Sequence, residues 1–83
     1  MEKDQKVKQD ICIGGNIRKL RKRGGLTQDQ VVAILQSNGC DMSRSTYAKI
    51  ESGIANIRVS ELQMLKVIFK AEYKDFFKEN ELE

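Results

Sequence analysis

The sequence predicts an all-α domain, and three observations carry that prediction. Apolar residues recur at three- and four-residue spacing through most of the chain, the period of a helix with one buried face. No proline interrupts any periodic stretch. Each stretch is punctuated by a side chain that caps a helix start or by a glycine that ends one. At 83 residues the chain is one domain, with room for a single modest core.

Residues 1–10 are charged and polar and read as a flexible N-terminal arm. The helical domain is expected over 11–78, and 79–83 form an acidic tail. In the first helix Ile13, Ile17 and Leu20 share a face, with Arg18, Lys19, Arg21, Lys22 and Arg23 around them; Gly24-Gly25 ends it. Thr27-Gln28-Asp29-Gln30 starts the second. Thr27 is placed to cap, and Gln30 stands where a capping box needs its reciprocal acceptor. That helix buries Val31, Ile34 and Leu35 and stops at Asn38-Gly39. Ser43 caps the third, which carries Tyr47 and Ile50 inward and closes at Gly53. Val59 to Lys70 makes a fourth, with Leu62, Leu65, Ile68 and Phe69 apolar. A short fifth helix within 72–83 bears Tyr73, Phe76 and Phe77, at least two of them closing the core.

Composition narrows the function. Residues 1–58 carry 11 Lys/Arg against 6 Asp/Glu, whereas 59–83 carry 4 against 6. The basic part is the part suited to a polyanion. No apolar run reaches the length of a membrane span and the N-terminus does not read as a signal peptide, so a cytoplasmic location is expected. Two cysteines, Cys12 and Cys40, with no histidine read as thiols without a metal or disulfide, and a redox role is the minor alternative. No nucleophile–base set exists, and neither Gly14-Gly15 nor Gly24-Gly25 has phosphate-loop spacing. No enzyme, cofactor, metal or catalytic residue is expected.

The stretch Leu26–Gly53, LTQDQVVAILQSNGCDMSRSTYAKIESG, carries the specific signal. With IxxLR at Ile17–Arg21 and the apolar fourth helix, it resembles the phage-repressor/Cro-like (XRE) helix-turn-helix family, over roughly Ile13 to Phe77. The resemblance implies a five-helix, lambda-repressor-like DNA-binding domain. A helix that enters a major groove needs small or polar residues at its N-terminal end, and Ser43, Arg44, Ser45 and Thr46 meet that need.

The family positions matching Ser43, Arg44, Ser45 and Lys49 face DNA, and these four are the candidate base readers. Arg44 leads them, since a guanidinium can bond a guanine edge twice. Thr27, Gln28, Thr46, Ser52, Asn56 and Arg58 are the candidate phosphate contacts. For Thr27 a purely capping role remains open, and for the loop after the third helix an ordinary polar surface does. Resemblance also implies that Arg21 and Glu51 form a structural salt bridge. Tyr47, at a position usually aliphatic in the family, is expected to pack its ring inward with its hydroxyl at the edge or on a phosphate.

The chain departs from the common family form in the longer connection Gln36–Met42, where Cys40 and Met42 are placed to plug the core. The function expected is a sequence-specific transcription regulator, a repressor before an activator, binding double-stranded DNA as a homodimer through its C-terminal helices. The alternative is an antitoxin-type or docking protein whose main task is to bind a protein partner.

Overall fold

The structure, a computed structural model, describes residues 13–78. The expected arm over 1–10, the tail over 79–83 and Cys12 lie outside the described residues. Five helices run in order: α1 Ile13–Arg23, α2 Gln28–Ser37, α3 Arg44–Glu51, α4 Val59–Phe69 and α5 Tyr73–Phe76. Among the described residues there is no strand.

None of these helices is long enough to persist alone in water. One core holds them. Ile17 and Leu20 of α1 meet Val31, Val32 and Leu35 of α2, Tyr47 and Ile50 of α3, Leu62, Leu65 and Phe69 of α4, and Phe76 of α5. α3 packs against both α1 and α2, while α4 lies on α2 and α5 on α1. α3 is thereby fixed from two sides.

Local chemistry sets the boundaries. Thr27 Oγ1 accepts from Gln30 N at 3.1 Å, and Gln30 Oε1 accepts from Thr27 N at 2.8 Å, so the capping box forms as expected. Ser43 Oγ accepts from Thr46 N at 3.0 Å and caps α3. Gly39 and Gly53, at φ 88° and 84°, take the left-handed turn after α2 and α3, where a side chain would be strained. α4 stops at Phe69, one residue short of the expected Lys70, which is itself left-handed at φ 54°.

The long connection folds back on α2. Gln36 Nε2 donates to Met42 O at 2.8 Å, and Met42 is buried in the core while Cys40 is half-buried. Both plug the structure as expected. Burial pushes the Cys40 thiol up, with Glu61 and Asp41 adding to it, which disfavours the reactive thiolate.

Three expectations need correction. Ile34 and Ile68 are only half-buried, because both side chains line an open apolar hollow bordered by α2 and α4. Of the C-terminal aromatics only Phe76 closes the core; Tyr73 and Phe77 are each 42% exposed. A four-residue helix presents one face, and Tyr73 lies instead under the Lys66 ammonium, 5.3 Å from its ring centre.

Two tethers were not legible beforehand. The buried Asn16 donates from Nδ2 to Phe76 O at 2.8 Å and Lys78 O at 2.9 Å, fastening α5 to α1. Gly14 brings the α1 backbone onto the end of α3. A Cβ there would overlap the Ile50 carbonyl oxygen and lie 2.7 Å from that of Glu51.

Candidate nucleic-acid interface

The last turn of α1, the first turn of α2 and both ends of α3 are joined by one chain of polar contacts. It begins in the interior. Arg21 Nε donates to Glu51 Oε2 at 2.7 Å, and Nη2 donates to Glu51 Oε1 at 3.1 Å. Arg21 Nη1 turns to Leu26 O at 2.9 Å, which also ties down the α1–α2 turn. Both charges are largely removed from water, with side-chain exposures of 10% and 3%. The salt bridge implied for Arg21 and Glu51 is therefore present and bidentate.

Burial alone would raise the Glu51 carboxyl. Hydrogen bonds from Arg21 and Gln28, with the Tyr47 hydroxyl close by, outweigh it and hold the group below the usual carboxylate range. The same hydrogen bonding to Glu51 raises Arg21. The Tyr47 ring packs inward as expected, but its hydroxyl does not reach an edge. It is buried with no hydrogen-bond partner of ordinary geometry. Burial first, and then the adjacent Glu51, push its pKa up.

Gln28 carries the network outward. Its Nε2 donates to Glu51 Oε1 at 3.0 Å, and its Oε1 accepts from Arg44 Nε at 3.0 Å. Arg44 Nη1 then donates to Asp29 Oδ1 at 2.7 Å. The first residue of α3 is thus held against the first two residues of α2 by side chains that themselves rest on a buried ion pair.

Around this anchor stand the other candidate contacts. Ser45 and Lys49 are exposed and, among the described residues, carry no side-chain hydrogen bond or ion pair. Ser43 and Thr46 are exposed too, but Ser43 Oγ already donates to Thr46 Oγ1 at 3.1 Å. Thr27 is exposed with its oxygen engaged in the α2 cap. Ser52 donates its hydroxyl to Lys49 O at 3.1 Å, and Asn56 is exposed without a side-chain bond. Arg58 borders a shallow hollow with Gly39, Cys40 and Asp41 and is not joined to the Gln28–Arg44 chain. Two groups result: Gln28, Arg44 and the α3 N-terminal turn are linked directly, whereas Ser52, Asn56 and Arg58 follow α3 as a separate exposed loop.

Asp29 was absent from the residues singled out by sequence. Its only local signal is an acidic residue in the first turn of α2, which the helix dipole explains sufficiently. Its partner lies fifteen positions away and is found only when the two helices pack. Among the described residues no group of three or more side chains could hold a metal ion, and no helix is long and apolar enough to cross a membrane.

Two helices joined by a connection, the second pinned across the start of the first with its polar N-terminal turn outward, define a helix-turn-helix domain. The sequence model of the helix-turn-helix family matches residues 17–66, from α1 into α4. The chain belongs to that family, in its phage-repressor/Cro-like branch, a family of DNA-binding regulatory domains. Comparison with curated proteins gives no match, and comparison with solved structures gives none.

Proposed function

We propose that this protein is a sequence-specific transcription repressor that lays the N-terminal end of α3 in the major groove. The single observation that carries this is the split of α3 into two faces. Tyr47, Ile50 and Glu51 are buried, while Arg44, Ser45, Thr46 and Lys49 are exposed, with Arg44 bonded to Gln28 and Asp29 at the N-terminus of α2. Arg44 reads a guanine edge through two hydrogen bonds, and Ser45 and Lys49 reach neighbouring bases or phosphates. Ser43 contributes through the cap that sets the angle of this turn. The N-terminus of α2, with Thr27 and Gln28, offers unpaired N–H groups and a partial positive charge to a phosphate. Thr46 and the loop residues Ser52, Asn56 and Arg58 grip the backbone on either side.

A single such module covers few base pairs, and two copies on half-sites supply the affinity that one lacks. The exposed Tyr73 and Phe77 support a homodimer contact through the C-terminal segment. Occlusion of a promoter by such a dimer requires no further surface, which is why repression is the favoured outcome.

Selection of bound duplexes from a random pool tests this. The expected result is one motif repeated with two-fold symmetry, its halves about 34 Å apart or a multiple of that. Recovery of no common sequence would refute it, and would favour a domain whose main partner is a protein.

A further inference from the structure

Asp29 has no part in the core. Its side chain is 76% exposed, and among the described residues its sole hydrogen bond or ion pair is the one from Arg44. A carboxylate in the first turn of a helix gains slightly from the helix dipole, and that gain requires no partner on α3. On a surface meant for a polyanion, however, a carboxylate opposes binding. We propose that Asp29 is a specificity-determining residue, which holds the Arg44 guanidinium against α2 so that a guanine edge draws it onto the duplex and a lone phosphate does not. This rests on Arg44 as the base reader.

Gln28 and Asp29 occupy Arg44 Nε and Nη1, and Nη2 has no partner among the described residues. An exposed ion pair is weak and screened by salt, so it yields to a strong competitor. Guanine is such a competitor, because its O6 and N7 accept two N–H groups at once and favour the correct base by roughly five- to hundredfold. A phosphate can accept two N–H groups as well, but it is met at every step of any duplex, so a contact to it carries no sequence preference. To reach it, Arg44 must abandon Asp29 and leave a bare carboxylate facing the DNA. On random sequence only the salt-screened phosphate contact offsets that loss, whereas on the cognate sequence the two guanine bonds add to the offset. Asp29 therefore weakens non-specific binding more than specific binding.

The test uses the full chain as wild type, Asp29→Asn, Arg44→Ala and the double variant. Each is titrated by fluorescence anisotropy against the selected duplex and a random-sequence duplex, over a series of salt concentrations. Asp29→Asn is expected to bind random duplex roughly fivefold more tightly, the upper end for releasing an exposed ion pair, with a salt slope steeper by about 0.9, the signature of one added phosphate contact. Its affinity for the selected duplex rises by less than about threefold, so the specificity ratio falls. With Arg44 already Ala, Asp29→Asn leaves the ratio unchanged. An equal gain on both duplexes, or the same fall in ratio without Arg44, overturns the role of Asp29 and leaves Arg44 as reader. Should Arg44→Ala leave sequence preference intact, both assignments fall.

Discussion

Gln28 donates to the Oε1 atom of Glu51 at 3.0 Å, the same oxygen that receives Arg21 Nη2. This contact converts a buried ion pair into a support for an exposed surface. Through it the carboxylate that ties α1 to α3 also sets the side chain that braces Arg44. Stability and the proposed recognition surface consequently share residues here, and substitutions along the chain separate the two by how far outward they fall.

Arg21→Ala removes the partner of a carboxylate that has almost no access to water. Stranding such a charge costs on the order of 3 kcal/mol. Urea denaturation is expected to show that loss, and Glu51→Ala a similar one. Combining the two should cost less than the sum, since the second change removes the stranded charge.

The pair also sets an acid limit. Glu51 titrates below its ordinary range in the folded chain. A carboxyl depressed in this way contributes stability in full above its unfolded pKa of about 4.3 and loses it as pH falls through the lower folded value. Thermal melts from neutral pH downward should therefore fall below that region. Glu51→Gln should start lower at neutral pH and show a shallower acid dependence.

Tyr47→Phe probes the buried hydroxyl. An unsatisfied buried polar atom costs about 1–3 kcal/mol, and Tyr47 Oη has no bonded partner. The variant is expected to keep or gain stability, by about 1 kcal/mol, in the same urea titration. A clear loss would mean that the hydroxyl bonds Glu51 in solution.

Gly14→Ala should be damaging despite the better helix propensity of alanine. The added methyl meets two backbone carbonyl oxygens of α3, neither of which can rotate away. Overpacking against backbone costs about 1–3 kcal/mol. Because the clash falls at the end of α3, duplex affinity should drop along with the melting temperature.

Gln28→Ala is expected to weaken selected and random duplexes together, roughly fivefold for a lost hydrogen bond of about 1 kcal/mol. Since Gln28 is neutral, the salt slope should stay as in wild type. Anisotropy titrations at three salt concentrations check both statements.

What could be read from sequence follows the range of the forces involved. The cap at Thr27 and Gln30, the turn at Gly39 and, Ile34 and Ile68 apart, the buried faces of α2 and α4 depend on residues within one or two turns, and periodicity exposes them. The Arg21–Glu51 bridge spans thirty positions, yet resemblance implied it because its geometry belongs to the fold rather than to the neighbourhood. Gly14 against α3, Asn16 on the last carbonyls and Asp29 on Arg44 depend on how helices meet in this chain. No local pattern marks them. The exposure of Tyr73 and Phe77 has the same origin: the length of α5, four residues, decides which aromatic turns inward.

Whether the outer turn of α3 lies on DNA is tested most directly by amide chemical-shift mapping, with labelled protein titrated with the selected duplex. Shifts and line broadening should concentrate at Gln28, Ser43 to Thr46 and Lys49, with the α4 residues Gln63 and Val67 unmoved. Perturbation of the α2–α4 hollow around Ile34, Met64 and Val67, with Arg44 and Ser45 silent, would contradict the assigned interface.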